Sequence, residues 1–339
     1  PQFVWTSDED GVVTYFNKNW YDAFGLGVDT DPDKSFWSLM HPNFLDKVRN
    51  SWMDAVHQNS TYEVEYQLVN PITNISKWYL ARGKRVCNDN DETELWIGTC
   101  TDIDDFKQLQ KQKDDFIGIA SHELKTPLTI LKGHLMGMLN KVKGYENQES
   151  YMERSLAVVE KMETLVKELL YVSKTDGKQR TEYKTIDFAE LLRVQIADVT
   201  DLLSEKEISL SVDIPDKILC DADPAQMERA IQNVLVNAIR YSPNGEAIYI
   251  SLSNDKNTVS CKVENTGVHI PEEMIPHLFE AFYRADTSRN RNTGGTGLGL
   301  YIVRKIMELH HAKYGIQNTS RGVVFWLEMP QERGAINSI

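Results

Sequence analysis

Basic residues are scarce in this sequence of 339 residues. Lysine and arginine together number 37, against 50 aspartates and glutamates, which leaves a formal net charge of −13. A nucleic-acid surface needs a basic face to neutralise phosphates. The charge therefore argues against a nucleic-acid partner, while it leaves the binding of a single nucleotide open.

Paired cysteines and long apolar runs are also missing. The four cysteines (Cys87, Cys100, Cys220 and Cys261) are scattered, and none belongs to a Cys-x-x-Cys pair. This spacing argues against a disulfide framework and against structural zinc, and it favours a reducing compartment. No run approaches the ~18 apolar residues that a membrane span needs.

The composition that is present is typical of a globular protein with several domains. Apolar residues make up 41% and charged residues 26% of the chain, and at ~150 residues per domain the length predicts two or three domains. The chain begins at Pro1 without an initiator methionine or a signal peptide. We therefore expect a cytoplasmic fragment or an engineered chain, with any membrane spans of a natural parent outside this sequence.

The sequence pattern divides the chain into three regions. Residues 1–104 mix strand-like runs with a helix, residues 105–176 form long helices, and residues 180–332 return to α/β. We therefore predict a multidomain α+β protein. One strand-like run in the first region places alternate residues on a single face, namely Tyr62, Val64, Tyr66 and Leu68.

The central region predicts two amphipathic helices joined by a short loop. Apolar residues recur every seven positions at Ile117, Leu124, Leu131 and Met138, and the second helix repeats the pattern. A single hairpin buries such a stripe poorly, so pairing into a dimeric four-helix bundle is the economical solution. We therefore expect a homodimer formed through this hairpin.

The stretch "SHELKTPLT", residues 121–129, places a histidine on the outer face of the first helix. His122 falls at heptad position f, away from the seam. Glu123 beside it can accept a ring proton, and Thr126 lies one turn further on, close enough to share a water or a bound group. Pro127 removes the N–H that would bond the Glu123 carbonyl, which should bend or loosen the helix. Any solvated helix can show a His–Glu pair by chance, but the combination favours a functional site.

This stretch resembles the phosphoacceptor box of sensor histidine kinases, whose pattern is His-Glu-x-x-Thr/Asn-Pro-Leu. Every position matches, at His122, Glu123, Thr126, Pro127 and Leu128. The resemblance implies that His122 is phosphorylated from ATP and that an aspartate of a response regulator then takes the phosphoryl group. Thr126 would serve the dephosphorylation of that regulator.

A second polar pattern lies on a helix of the third region. Asn233, Asn237 and Tyr241 fall at i, i+4 and i+8, with Arg240 beside them. Asparagine is a weak helix former, and neither asparagine sits at a cap. An amide oxygen is a hard ligand suited to Mg²⁺ beside phosphates, and an arginine can meet phosphate charge. A solvated polar face explains one asparagine but explains this set poorly.

A glycine-rich loop, "TGGTGLGLYIVRKIMEL", follows later in the same region. Gly294, Gly295, Gly297 and Gly299 precede a helix, where backbone can approach phosphates and free N–H groups are available. The loop is neither a Walker loop nor a dinucleotide fingerprint. A glycine-rich loop alone is a weak signal of a nucleotide site. The signal is strong here because the loop follows the asparagine helix and the segment "VENTGVHIPEEMIPHLFEAFYR".

These segments resemble the asparagine, glycine and phenylalanine boxes of the histidine-kinase catalytic domain, an α/β sandwich shared with gyrase, MutL-type and chaperone ATPases. The resemblance implies that Asn237 binds Mg²⁺ with support from Asn233, and that Tyr241 flanks the base. Phe279 and Phe282 would secure a lid over residues 284–293. The implied nucleotide-binding residues are Asn233, Asn237, Arg240, Tyr241, Asn265, Gly267, Ile270, Phe282, Gly295, Thr296, Gly297, Leu298, Gly299 and Leu300.

Two residues depart from the family pattern Asp-x-Gly-x-Gly. Asn265 replaces the aspartate that normally accepts a hydrogen bond from the exocyclic amine of adenine, and its amide oxygen can still accept that bond without the strength of a charge. His269 replaces a glycine, which puts in doubt any left-handed backbone conformation there. We read this as weakened or adjusted ATP affinity, and a degenerate kinase stays open as an alternative.

The first hundred residues resemble a PAS domain, of the subclass that ends in a Trp-x-Gly-Thr-x-x-Asp-Ile strand. PAS folds bind small ligands or cofactors, or only mediate dimerisation. His41 lies in a predicted surface turn and His57 in an ordinary helix, and these positions explain both histidines better than a role as haem ligands. The aromatic residues are expected in the core rather than in a ligand cage, namely Phe3, Trp5, Tyr15, Phe16, Trp20, Tyr21 and Phe24.

The sequence is therefore interpreted as a sensor histidine kinase core that uses ATP and Mg²⁺. Its expected partners are a second copy, a response regulator receiver domain and a possible small ligand of the PAS domain, with no nucleic acid and no membrane segment in this chain. It would be cytoplasmic, or the cytoplasmic part of a membrane-bound sensor. Two alternatives remain: an ATPase that uses nucleotide for conformational work, and a non-catalytic scaffold for sensing and dimerisation.

Overall fold

The computed structural model describes residues 2–27, 29–87, 93–175, 181–255, 258–284 and 295–331. Contacts within the chain form two compact units, residues 1–117 and residues 118–339. The predicted division into three domains at residues 104 and 176–180 stays a prediction.

The first unit is built on an antiparallel sheet of five strands. Their order is β2-β1-β5-β4-β3, and helices fill the connection between β2 and β3. The elements are β1 (Gln2–Ser7), β2 (Val13–Phe16), α1 (Lys18–Phe24), α2 (Pro32–Leu39), a 3-10 helix (Pro42–Phe44), α3 (Leu45–Gln58), β3 (Tyr62–Val69), β4 (Ser76–Cys87) and β5 (Thr93–Asp102).

Aromatic side chains fill the core of this unit. The alternating residues of β3 are all buried, and six of the seven aromatics expected in the core are buried with them. Tyr15 is the exception: it is 52% exposed, while the next residue of β2, Phe16, is buried. The cavity left among Trp5, Phe36, Trp52 and neighbouring side chains measures about 30 Å³, so a small-molecule ligand would require the core to open.

The two long helices predicted for the central region are α4 (Asp104–Leu139) and α5 (Gln148–Thr175). Helix α4 is unbroken through Pro127. Within the second unit His134 joins the helices, since its Nδ1 lies 3.1 Å from the hydroxyl of Ser155. The heptad places His134 at a seam position, and this contact agrees with that placement.

The rest of the second unit is an α/β sandwich. Its main sheet has the order β11-β12-β10-β9-β7, in which β7 and β9 are parallel and the other pairs are antiparallel; β6 and β8 form a small second sheet. The predicted fold class is thereby confirmed. The elements are β6 (Lys184–Asp187), α6 (Phe188–Asp198), α7 (Thr200–Glu205), β7 (Ser209–Asp213), β8 (Leu219–Ala222), α8 (Pro224–Tyr241), β9 (Ala247–Asp255), β10 (Thr258–Thr266), a 3-10 helix (Glu272–His277), α9 (Gly299–Leu309), β11 (Lys313–Asn318) and β12 (Gly322–Pro330).

Helix α8 lies against this sheet through one apolar face. Met227, Ile231, Val234 and Leu235 on that face are almost fully buried, and each such side chain stabilises the fold by about 1.5–3 kcal/mol. The helix begins where Asp223 accepts a hydrogen bond from the backbone N–H of Gln226 at 3.1 Å, a cap that contributes about 1 kcal/mol. Burial of one face turns the opposite face of α8 away from the sheet.

A buried histidine ties the end of α9 to the start of α8. The Nδ1–H of His310 donates to the Ile306 carbonyl at 2.8 Å, and its Nε2 accepts the backbone N–H of Asp223 at 3.0 Å. Both ring nitrogens are therefore used by the neutral imidazole. Burial lowers the pKa of His310 below 6.5, against smaller opposing effects of the Ile306 hydrogen bond and the Asp223 charge.

In the described part of the chain, no helix combines the length and the apolar character that crossing a membrane requires.

Acid should destabilise the α8–α9 region through His310. Because the folded pKa lies below 6.5, the unfolded chain takes up a proton that the folded chain refuses, so the stabilisation is complete above pH 6.5 and is lost as the pH falls below it. The slope should reach up to about 1.4 kcal/mol per pH unit. This loss can be measured by unfolding the protein with urea at pH 7.5 and at pH 5.5, with hydrogen exchange of α8 and α9 peptides as the readout.

His310→Gln should remove most of this pH dependence, whereas His311→Asn on the adjacent exposed position should retain it. Asparagine is chosen there because His311 has a left-handed backbone with φ 52°. An equal loss of stability with acid in all three proteins would contradict the role given to His310.

Candidate active site

A cavity of about 820 Å³ opens beside the polar face of α8. Its walls include residues of α8, β10, the 3-10 helix at Glu272–His277, the glycine loop at residues 295–297 with the start of α9, and helix α5. The volume falls in the range of about 300–1,000 Å³ that is usual for ligand clefts. Apolar strand residues and polar helix residues therefore meet in one space.

The polar side chains that α8 turns away from the sheet line this cavity. Asn233, Asn237, Arg240 and Tyr241 are all on its wall. The side-chain amide nitrogen of Asn233 is buried and has no hydrogen-bond partner among the described residues. An unpaired buried donor is costly in a folded protein, so this amide fits a wall that binds a polar ligand.

Lys206 fixes the last turn of α8. Its ammonium group donates to the carbonyls of Ile239 at 2.9 Å, Arg240 at 2.7 Å and Ser242 at 3.0 Å. These carbonyls end the helix without backbone partners, and a cation meets both their hydrogen-bonding need and the helix dipole. Desolvation, with a smaller effect of Arg240, lowers the pKa of Lys206. No local sequence pattern marks Lys206, because it lies 33 residues before Ile239 in the chain.

The glycine loop approaches both α8 and Phe282. Gly297 has φ +76°, and a Cβ there would lie 2.8 Å from the Cα of Phe282. Phe282 itself has φ 64°, and its N–H donates to the Gly297 carbonyl at 2.9 Å. Only glycine fits position 297, because both the conformation and the close approach exclude a side chain.

Helix α9 starts next to the two asparagines of α8. A Cβ at Gly299 would lie 3.7 Å from the amide oxygen of Asn233 and 3.7 Å from the amide nitrogen of Asn237. Helix starts offer free N–H groups and a positive dipole, which suit an anion. The structure therefore places amide side chains and a helix N-terminus together.

Asn265 lies on the central strand β10, between β9 and β12, and is 7% exposed on the cavity wall. Gly267, two residues on, has φ +76°, and a Cβ there would lie 2.6 Å from the Glu246 side chain. His269, by contrast, is not among the residues with positive φ, and its Nε2–H donates to the Thr319 carbonyl at 2.9 Å. The backbone at His269 is therefore not left-handed, as the side chain at this position led us to expect. The adjusted ATP affinity stays a prediction.

His122 is exposed on α4, as its heptad position predicts. The side chain is 77% exposed, and its Nδ1 lies 3.7 Å from the Glu123 carboxylate. The hydroxyl of Thr126 donates to the His122 carbonyl at 3.2 Å, a common bond one turn back in a helix. His122 is not on the wall of the cavity.

The structure brings most, but not all, of the expected nucleotide residues together. Gly267, Phe282 and Leu298 do not line the cavity: Leu298 is fully buried, and the backbones of Gly267 and Phe282 shape neighbouring turns. The expected lid (residues 284–293) lies outside the described residues except for Arg284, and so does Gly294. The expected residues on the wall are Asn233, Asn237, Arg240, Tyr241, Asn265, Ile270, Gly295, Thr296, Gly297, Gly299 and Leu300.

Helix α5 contributes an acidic residue to the cavity that no local sequence pattern marks. Glu168 lines the cavity, and its carboxylate accepts a hydrogen bond from the hydroxyl of Thr296 in the glycine loop. Burial raises the pKa of Glu168, opposed by the Thr296 hydrogen bond and by Arg229 and Arg240. Its position between Lys167 and Leu169 carries no motif, so only the fold could reveal it.

The donor set suits magnesium rather than a transition metal. Among the described residues there is no group of three or more His, Cys, Asp and Glu side chains that could hold a metal ion. The cavity offers the amide oxygens of Asn233 and Asn237 instead. Mg²⁺ prefers such hard oxygens and usually keeps several waters and phosphate ligands.

Three family models match successive parts of the chain. The model of the PAS fold matches residues 13–100, and the His Kinase A (phospho-acceptor) domain matches residues 112–178. The histidine kinase-, DNA gyrase B- and HSP90-like ATPase model matches residues 222–333. The cavity lies mainly within the last match, and His122 within the second.

Known proteins are similar to this chain in sequence and in structure. The sensor protein VanSB of Enterococcus faecalis is 31% identical over 224 residues, which cover 66% of this chain and 50% of that protein. The structure of the histidine kinase AdeS of Acinetobacter baumannii has a TM-score of 0.53 at 26% identity and covers 62% of this chain and 98% of its own.

A third structure extends the likeness in fold over almost the whole chain. Histidine kinase ThkA, solved in complex with the response regulator protein TrrA, has a TM-score of 0.55 at 22% identity and covers 97% of this chain and 95% of its own. The chain spans about half the length of the first curated relatives it matches. With its three family domains in this order, the chain belongs to the PAS-containing sensor histidine kinases.

Proposed function

We propose that the chain binds Mg-ATP in the α8 cavity, transfers the γ-phosphoryl group to His122 and passes it on to an aspartate of a response regulator. The observation that carries this proposal is the meeting of the asparagine face of α8, the glycine loop and the start of α9 in one cavity. The exposed His122 on a separate helix supplies the acceptor.

The nucleotide would lie with its base towards β10 and its phosphates towards α9. Asn265 and Ile270 line one part of the cavity. There the amide oxygen of Asn265 can accept a hydrogen bond from the exocyclic amine of adenine. Arg240 and the N–H groups at the start of α9 would meet the phosphates. The amide oxygen of Asn237, supported by Asn233, would hold Mg²⁺, which when bound neutralises charge on the phosphates.

At the acceptor, Nε2 of His122 would use its lone pair to attack the γ-phosphorus. The new N–P bond forms as the bond from phosphorus to the bridging oxygen breaks, and ADP leaves with that electron pair. Glu123 would accept the Nδ1 proton. If that proton stayed on the ring, the phosphorylated imidazole would carry a positive charge. The present separation of 3.7 Å would have to shorten to hydrogen-bond length, as often happens when a substrate binds.

Transfer requires a rearrangement, because His122 is not on the wall of the cavity. Either the ATP-binding domain moves relative to the hairpin within one chain, or it reaches the histidine of a second chain. Catalysis of phosphoryl transfer depends mainly on positioning and electrostatic stabilisation. The fold therefore has to bring two separately built sites together.

A homodimer through the hairpin is supported by the apolar side chains that it leaves exposed. Several large ones remain in water on both helices, including Ile117, Leu128, Leu135, Met152 and Leu156. An apolar surface of this kind usually marks an interface. A second copy covers it best, since the helices would then form a bundle of four.

Transfer to a response regulator is supported by the exposure of His122 and by the partner of a structural neighbour. ThkA was solved in complex with its regulator TrrA. We propose that Thr126, one turn from His122, positions a water that hydrolyses the phosphorylated regulator. Its hydroxyl donates to the His122 carbonyl and retains its oxygen lone pairs as acceptors.

Asn237→Ala should remove Mg-ATP-dependent phosphorylation while the fold stays intact, because the amide faces the cavity and not the core. We expect a loss of about 100-fold or more, as for other groups that stabilise developing charge. Radiolabel incorporation and thermal unfolding measure the two effects. Asn254→Ala, at an exposed asparagine of β9, is the matched control; unchanged labelling of Asn237→Ala with a normal melting curve would remove the assignment of Asn237.

Substitutions in the phosphoacceptor box should separate the roles of its residues. His122→Ala should abolish phosphoryl incorporation, because His122 is the proposed acceptor. Glu123→Gln should slow autophosphorylation by about 10²- to 10⁴-fold, since an amide can orient the ring but cannot take its proton. Thr126→Ala should leave autophosphorylation largely intact and impair dephosphorylation of a phosphorylated regulator.

These assays use labelled ATP for the first step and a purified phosphorylated regulator for the last. If Thr126→Ala lost kinase activity as severely as Glu123→Gln while regulator dephosphorylation persisted, the division of roles would be wrong. Thr126 would then act only as a support for the helix around Pro127.

A further inference from the structure

Helix α5 and the glycine loop are joined by one polar contact inside the nucleotide cavity. The hydroxyl of Thr296 donates to the carboxylate of Glu168 and accepts the backbone N–H of Leu298 at 3.2 Å. A single hydroxyl therefore closes the turn of the loop and attaches it to the hairpin. This link joins the domain that carries His122 to the loop that would contact phosphates.

The same face of α5 contacts the ATP-binding domain at further points. Thr164 and Glu168, four residues apart, both lie on the cavity wall, as the helical repeat places them on one face. Tyr171, one turn beyond Glu168, lies under the guanidinium of Arg229, 3.9 Å from its ring centre. Glu168 is thus held in place by its helix and does not reach the loop by chance.

The carboxylate of Glu168 carries the same sign of charge as the proposed triphosphate ligand. Arg240 lines the same cavity and acts electrostatically on the carboxylate, as does Arg229. A triphosphate would need Arg240 and the glycine loop for itself, and like charges in a partly desolvated cavity repel strongly. The carboxylate and the phosphates therefore compete for the same groups.

We propose that Glu168 is a nucleotide-site residue supplied by the hairpin, and that it competes with the triphosphate for Thr296 and Arg240. This proposal rests on the proposed function, that the cavity takes Mg-ATP. Without nucleotide, Glu168 ties the glycine loop to α5. Binding of the triphosphate displaces Glu168 and releases the ATP-binding domain from this face of the hairpin, and by linkage any signal that pulls α5 away tightens nucleotide binding.

Competition and simple structural support make opposite predictions for nucleotide affinity. If Glu168 only supported the loop, its removal would weaken binding or leave it unchanged. If it competes, its removal strengthens binding. Binding of a non-hydrolysable ATP analogue with Mg²⁺, measured by calorimetry on the full chain, reads this sign directly.

Glu168→Ala should lower the Kd for the analogue by at least about fivefold. Glu168→Gln should also lower it, because the amide keeps an acceptor for Thr296 but has no charge. Glu160→Ala is the matched control: Glu160 lies on the same helix, is exposed and does not line the cavity, so its Kd should equal that of the wild type. An unchanged or raised Kd in both Glu168 variants would overturn the competition.

Hydrogen exchange without nucleotide tests the tie itself. Peptides from residues 295–303 should exchange faster in Glu168→Ala than in the wild type or in Glu160→Ala. Equal exchange in all three would overturn the tie whether or not nucleotide binds. If the wild type and all variants failed to bind the analogue while the exchange difference was present, the assignment of the cavity to ATP would fail, and with it the competition, but the tie would stand.

Discussion

Helix α8 is fixed at both ends, and the geometry of the candidate site depends on this constraint. At its start Asp223 caps the helix and donates its backbone N–H to His310. At its end Lys206 binds three carbonyls. With one face buried against the sheet, the helix cannot rotate without exposing its apolar stripe. Packing of the helix therefore holds Asn233 and Asn237 towards the cavity.

A second constraint links this site to the hairpin. Glu168 and Tyr171 on α5 contact Thr296 and Arg229, so the glycine loop and α8 each touch a helix of the phosphoacceptor domain. Under the proposed function His122 and the nucleotide have to meet, so the contacts between the hairpin and the ATP-binding domain must be able to break. Contacts through single polar groups suit this need, because they are broken at a lower cost than a large apolar interface.

The sequence predicted what depends on local pattern. Helix periodicity placed His122 outwards and His134 in the seam, and the spacing of Asn233 and Asn237 put both on one wall of the cavity. It could not predict Glu168 or Lys206, whose roles arise from contacts between residues far apart in the chain. At His269 the sequence argued against a left-handed backbone, and the backbone conformation at that position is ordinary.

The most direct test of the account is the chemistry of the phosphorylated product. The wild-type chain is incubated with γ-labelled ATP and Mg²⁺, and the labelled protein is then exposed to acid and to alkali. The label of a phosphohistidine is lost in acid and retained in alkali. This is the result expected if ATP bound in the cavity donates its γ-phosphoryl group to His122. Hydrolysis of ATP without any protein-bound label, or a label stable in acid, would contradict the account.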